Sequence, residues 1–286
     1  MHQSAEQHTV YPVNDPLPTV LCIAGSDSGG GAGIQADLKT VSANGGYAFC
    51  AISALTAQNS AGIHHIAPTE LASLEAQIDA IINDYSIGAV KVGMLGNGAT
   101  IELVAKKLDQ LASVPVVVDP VLASTSGTAL LDVEAIRVLA EQLFPRATLI
   151  TPNANEASHL TGLVVQSSSQ VEAAGQQLLK HGCGAILIKG GHLAGDEATD
   201  YLITKKGTQV FSNPREANKN THGTGCTLSA AIATGLATGL GLEQAIDRAK
   251  RYVTQAIRFG LPLGSHAGPT DHFFALRNTR TEQTQD

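Results

Sequence analysis

Thr19-Val-Leu-Cys-Ile-Ala-Gly25, continued by Ser-Asp-Ser-Gly-Gly-Gly-Ala-Gly33 and Ile-Gln-Ala-Asp-Leu-Lys-Thr40, decides the fold. A short apolar run stopped by a glycine reads as a buried strand over 19–24. A glycine-rich loop follows, and a helix is expected over 32–43. The unit then recurs along the chain. Residues 47–57 are β-prone. Leu71, Leu74, Ile78 and Ile81 keep a helical period within 71–85. Strands are expected over 89–95, 114–119, 147–152 and 184–189, and helices over 101–111, 133–143, 154–160 and 171–181. Two β-prone segments near Tyr201 and Val210 flank Lys205-Lys206-Gly207, a hairpin signal. Helices over 225–238 and 242–260 complete the pattern.

Apolar strands alternating with helices imply an α/β fold with a mostly parallel central sheet and helices on both faces. A length of 286 residues gives a soft prior of about two domains. No linker divides this chain, however. The expected organisation is a flexible tail over 1–18, one domain over 19–277, and a frayed tail over 278–286.

Composition narrows the partners. Aromatic residues make up 4% and Trp is absent, which does not suit a base-stacking platform. Eighteen Lys+Arg against 25 Asp+Glu give a net charge of −7, the wrong sign for a nucleic-acid or membrane-surface binder. Cys22, Cys50, Cys183 and Cys226 show no CxxC spacing, so neither a zinc site nor a thioredoxin motif is indicated. No signal peptide opens the chain and no apolar run reaches the ~20 residues that span a bilayer. The expected location is cytoplasmic.

In open parallel sheets ligands bind beyond the carboxyl ends of the strands. Asp27, Gln58, Met94, Asp119, Asn153 and Lys189 fall there. The loop after the first strand admits close approach of a ligand, or of a packed helix, and its helix N-terminus favours negative charge. It fits neither the dinucleotide fingerprint nor the Walker loop. Asp37, one turn into the helix, either accepts a hydrogen bond from a ligand or lies on a solvated face. In Thr221-His-Gly-Thr-Gly-Cys226 the glycines precede an apolar helix, so the N–H groups of Gly223, Gly225 and Cys226 can converge as an anion hole. The helix N-terminus is expected to lower the Cys226 pKa. Asn153 and Glu156 either cap the helix they begin or offer hard oxygens to Mg²⁺. Lys189, before Gly190-Gly191-His192, either pairs with phosphates or is an ordinary loop lysine.

Together these residues resemble the ribokinase-like superfamily. Within it they resemble the bifunctional hydroxymethylpyrimidine/phosphomethylpyrimidine kinases of thiamine biosynthesis. The resemblance covers residues 21–274. It rests on the 24–40 stretch, on Lys91-Val-Gly-Met-Leu95, and on Asn220-Thr-His-Gly-Thr-Gly-Cys-Thr-Leu-Ser-Ala-Ala231. It implies a three-layer ribokinase-like fold and, commonly, a homodimer. It also implies ATP- and Mg²⁺-dependent phosphorylation of 4-amino-5-hydroxymethyl-2-methylpyrimidine, then of its monophosphate. By the same resemblance, Asp37 and Gln58 bind the polar edge of the pyrimidine. Met94 and Val121 are apolar contacts to its ring, and Gly25 belongs to the same substrate site. Asn153, Glu156 and Asp119 serve metal and phosphate, and Lys189 contacts phosphate. Gly223, Thr224, Gly225 and Cys226 form the anion hole, and Cys226 is also the base. Many relatives read Lys-Ser-Gly-Asp where this chain has Thr125-Ser-Gly-Thr128. Two other readings stay open: a pyridoxine or pyridoxal kinase, and a non-catalytic pyrimidine sensor.

Overall fold

The computed structural model describes residues 17–123, 127, 130–191 and 195–277. Most of both expected tails, together with Thr125, Ser126, Thr128 and His192, lies outside the described residues. The order is β1 (Thr19–Asp27), α1 (Gly33–Ala43), β2 (Tyr47–Asn59), β3 (Gly62–Pro68), α2 (Leu71–Ile82), β4 (Ala89–Val92) and α3 (Gly98–Leu108). There follow β5 (Val116–Val118), α4 (Val133–Val138, continued by a π-helical turn), β6 (Leu149–Ile150), α5 (Ala154–Thr161) and α6 (Ser168–Leu179). The chain ends with β7 (Ile186–Ile188), β8 (Glu197–Thr204), β9 (Gly207–Pro214), α7 (Thr224–Ala237) and α8 (Leu242–Arg258).

The nine strands form one sheet in the order β3-β2-β1-β4-β5-β6-β7-β8-β9. The run from β2 through β7 is parallel. Antiparallel strands finish both edges, β3 against β2 and the β8–β9 hairpin against β7. Side chains alternate between two cores, as the two-residue period of a strand requires. Leu21, Ile23, Val90, Val92, Val116 and Val118 pack with Leu74, Ile101, Val104, Ala157 and Leu178 from helices α2, α3, α5 and α6. Val20, Cys22, Ala89, Val117, Leu149 and Leu187 pack with Leu228 and Ile232 of α7 and Ile246 and Val253 of α8. Both faces of the sheet are thus covered.

Three differences from the expected elements have physical causes. The edge strand β3 is not signalled in Gly62-Ile-His-His-Ile-Ala-Pro68, because its residues, half-buried or exposed and none fully buried, lack apolar alternation. The central strands stop earlier than their apolar runs. Pro120 and Pro152 follow β5 and β6 within two residues and have no N–H to extend the ladder. Conversely, β1 continues past Gly25 to Asp27. A Cβ on Gly33 would lie 2.3 Å from the Gly25 carbonyl, so glycine lets the start of α1 rest on this strand.

Candidate active site

The carboxyl ends of β1, β4, β5, β6 and β7 open toward the N-terminus of α7. Asp119 follows β5 and Lys189 follows β7. The Lys189 ammonium donates to Oδ1 of Asp119 at 2.8 Å and stands 4.0 Å from Oε2 of Glu156. Thr151 donates to the same Asp119 oxygen at 3.1 Å. Burial alone would depress the Lys189 pKa, but Asp119 and Glu156 outweigh it and hold the ammonium above its ordinary value. Burial, reinforced by Asp119 and opposed by Lys189, pushes the Glu156 carboxyl up to about 7. A Cβ on Gly225 would lie 3.3 Å from both Asp119 Oδ2 and Lys189 Nζ, so the first turn of α7 lies directly against this ion pair. The first N–H groups of a helix lack intrahelical partners, which brings donors and a cation to one place.

Asn153 caps α5. Its Oδ1 accepts from the Glu156 N–H at 2.9 Å, and Glu156 Oε2 accepts from the Asn153 N–H at 2.7 Å. The capping box fits the first of the two sequence-level readings, and it engages one lone pair of the Asn153 amide oxygen. Thr224 turns its N–H and hydroxyl back to the Thr221 carbonyl, which leaves the N–H groups of Gly223, Gly225 and Cys226 for the expected anion hole.

The glycine loop is fastened separately. The Asp27 carboxylate accepts from the N–H groups of Gly29, Gly31 and Ala32, at 2.8, 3.0 and 2.8 Å, and meets His222 Nε2 at 2.9 Å. Burial opposes its ionisation, yet the His222 bond and the amides hold its pKa below the usual carboxylate value. Gly223, at φ +81°, leaves no space at all, since a Cβ there would lie 1.7 Å from the Gly31 carbonyl. The two motifs farthest apart in sequence therefore meet backbone to backbone.

The ring-facing expectations divide. The Met94 thioether lies 3.3 Å from the Cβ position of Gly25, and Ser53 donates to the Met94 carbonyl at 2.6 Å. Gln58 is half-buried at the end of β2, and its Oε1 accepts from Thr56 at 3.2 Å. Val121 is half-buried, with its N–H on the Asp119 carbonyl. Asp37 departs from the solvated-face reading: it is fully buried and paired with Lys91 at 2.8 Å through Oδ2. Lys91 is the residue that sequence reasoning missed. Its signal was a lone basic residue inside the apolar run 89–95.

The Cys226 pKa expectation is overturned. Burial pushes the thiol up to about 11, and the carboxylates of Asp37 and Asp119 add to it. Lys91 and the Gly33 N–H oppose the rise without cancelling it. Desolvation disfavours a thiolate more than the helix terminus favours it. Among the described residues no group of three or more His, Cys, Asp or Glu side chains is arranged to hold a metal ion. Nor, among them, is any helix long and apolar enough to cross a membrane.

The family model for phosphomethylpyrimidine kinase matches residues 27–271. The chain is 46% identical to the thiamine biosynthesis bifunctional protein ThiED of Geobacter sulfurreducens, over 93% of this chain and 54% of that one. It is 45% identical to the hydroxymethylpyrimidine/phosphomethylpyrimidine kinase of Streptomyces coelicolor, over 93% of this chain and 97% of that one. Among solved structures, the ADP complex of Bacillus subtilis pyridoxal kinase superposes with a TM-score of 0.85. Its identity is 37%, over 92% of this chain and 99% of that one. With a matched fold, matched motifs and near-full coverage of a relative at this identity, the chain belongs to the phosphomethylpyrimidine kinase family.

Proposed function

We propose that this kinase transfers the terminal phosphoryl group of ATP to the hydroxymethyl group of 4-amino-5-hydroxymethyl-2-methylpyrimidine, and then phosphorylates the resulting monophosphate. The observation that carries the reading is the Lys189–Asp119 pair with Glu156 at 4.0 Å, set against Gly225 at the start of α7. Phosphoryl transfer needs positioning and charge stabilisation more than covalent chemistry. A half-buried ammonium beside helix N–H groups supplies both to an anionic phosphate chain.

In this reading Lys189 and the amides of Gly225 and Cys226 hold phosphate oxygens. Gly25, Met94 and Val121 contact the flat faces of the ring, and Gln58 presents an acceptor and donors to its polar edge. Cys226 is the base: the thiol, with its pKa pushed up to about 11 by burial, first gives its proton to solvent, and the thiolate so formed accepts the proton of the acceptor hydroxyl. Asp119 and Glu156 are hard oxygen donors that fit Mg²⁺, which typically takes one or two carboxylates beside phosphates and water. They would hold it, and it would neutralise charge on the phosphates. The whole stretch 19–277 acts as one kinase domain in this reading, as a homodimer and in the cytoplasm.

A pyridoxal kinase is the second reading, favoured by the TM-score of 0.85 to a protein of that name. One assay separates the readings. Purified protein with ATP and Mg²⁺ is offered the pyrimidine, its monophosphate, or pyridoxal, and ADP release is followed. Turnover of both pyrimidines above pyridoxal is expected. Faster turnover of pyridoxal would favour the second reading. No turnover of any of the three would mark a sensor. Lys189→Ala is expected to lower turnover about 10²–10³-fold, the cost of losing one electrostatic donor at a transition state.

A further inference from the structure

Lys91 stands in the middle of the parallel sheet with no exposed surface. Its backbone lies abreast of Cys22 on β1 and Val117 on β5, and Cys22 lies abreast of Cys50 on β2. Val117 and Cys22 are core residues of that row, and a lysine there needs a reason, because a buried ammonium is costly unless paired. Its partner is Asp37 Oδ2 at 2.8 Å, on a side chain equally without exposure. The ammonium also fills the space beside Gly93, where a Cβ would lie 2.8 Å from Nζ. The next residue is Met94. Asp37 is thereby left with one oxygen, Oδ1, that is buried and has no hydrogen-bond partner. Orphaned buried acceptors are rare in native proteins, and an oriented one next to a binding site has an obvious use.

We propose that Lys91 is a positioning residue for the phosphoryl acceptor: it holds Asp37 as an oriented carboxylate whose free oxygen accepts a hydrogen bond from an N–H or O–H of the acceptor ring. This rests on the pyrimidine-kinase reading above. The ionisable groups that act on Asp37 or feel its charge are Lys91 from β4, Cys22 from β1, Cys50 from β2, Cys226 from α7 and Asp119 after β5. Of these, only Lys91 is cationic. Burial pushes Asp37 up to about 6 even with the ammonium in place. Without it, nothing in this set opposes neutralisation. Asp37 would then become a neutral acid, a donor where an acceptor is needed.

The test uses KM for the pyrimidine and for ATP, measured from about pH 5 to 8 so that both protonation states are sampled. In the wild type, pyrimidine KM should rise as pH falls through about 6. Lys91→Met should raise pyrimidine KM about tenfold or more at neutral pH, the effect of a lost buried hydrogen bond. It should leave ATP KM within about twofold and move the midpoint of the KM–pH curve upward by about one unit or more. A purely structural lysine would lower stability or kcat without separating the two KM values or moving that midpoint. If Lys91→Met does not fold, Lys91→Gln decides, because its amide can still donate to Asp37 but carries no charge. A raised pyrimidine KM with an upward-shifted midpoint in that folded variant, ATP KM unchanged, supports the proposal. Wild-type pyrimidine KM in either variant overturns it, and so does a parallel rise of both KM values. If the wild-type protein itself turns over neither pyrimidine, the functional reading fails and this inference falls with it.

Discussion

Nε2 of His222 meets Oδ2 of Asp27 at 2.9 Å across 195 residues of chain. The bond joins the loop before α1 to the loop before α7, and it is tight. A Cβ on Gly31 would lie 2.4 Å from the His222 ring. One carboxylate thus holds three loop amides and an imidazole at the place where the two motifs converge.

Asp27→Ala should therefore destabilise the protein well beyond an ordinary surface substitution. It leaves the N–H groups of Gly29, Gly31 and Ala32 without their acceptor. Unsatisfied donors of this kind cost about 1–3 kcal/mol each before relaxation, and a net loss of about 3 kcal/mol is expected. Urea denaturation reads it directly. A loss below about 1 kcal/mol would show that the loop is held by other contacts.

Two glycines with nearly equal φ should respond very differently to alanine. Gly223 has φ +81° and Gly45 has φ +83°, so both pay the left-handed penalty of about 1–2 kcal/mol. At Gly45 nothing lies within 4 Å of the new Cβ, whereas at Gly223 the Gly31 carbonyl is 1.7 Å away. Gly45→Ala should keep full activity with a slightly lower Tm. Gly223→Ala should lose kinase activity and a much larger share of stability. Similar behaviour of the two variants would mean that the loop contact is soft.

Cys226→Ala should slow phosphorylation of the alcohol more than phosphorylation of the monophosphate. An alcohol must lose a proton as it attacks. A phosphate oxygen is already largely ionised near neutral pH, because its second pKa is about 6. With the thiol raised to about 11, the first step in the wild type should also climb as pH rises above neutral. That climb should be absent in the alanine variant. Each substrate is supplied separately with excess ATP and Mg²⁺. Equal losses in both steps would assign Cys226 to the shape of the anion hole.

His272 should make the fold acid-sensitive. It is buried, bonds Thr227 Oγ1 at 3.1 Å, and has its pKa lowered to about 4, chiefly by burial and then by Lys39. The unfolded imidazole takes up its proton near 6.5 and the folded one only near 4. The unfolded state therefore binds more protons across that window, and stability is lost as pH falls through it. Above about 6.5 the penalty is absent. Between pH 7 and 5 the wild type should lose roughly 2 kcal/mol that His272→Gln does not lose. Parallel stability–pH curves would place the acid sensitivity elsewhere.

The strand–loop–helix unit at 19–43 was legible because its periodicity, its glycines and its position agree. The same holds for the parallel order and for helices on both faces. Lys189 and the 221–226 loop were legible as a site because each follows or precedes a strong apolar element. Other features depend on what lies opposite in space. A lysine in an apolar run does not announce an aspartate 54 positions earlier in the chain. Cys226 at a helix start carries no mark of the carboxylates and the burial that raise it. Asn153 and Glu156 have one spacing that serves both a cap and a metal, and only coordinates show that the cap is formed.

From β4 onward the sheet grows in one direction during synthesis. Strand β4 adds to the free edge of β1, away from β2 and β3, and β5, β6 and β7 each add beside the strand made before. One face can be covered as it forms, because α2, α3, α5 and α6 arrive between those strands. The opposite face, with Val20, Ala89, Val117, Leu149 and Leu187, waits for α7 and α8 at the far end of the chain. A nascent chain stopped at Asn220 would present that apolar surface to solvent and bind a hydrophobic dye. One carried through Arg258 would not. The last helices thus have a protective duty before any catalytic one, and the ribosome-bound chain is at its stickiest just before the loop at 221–226 is made.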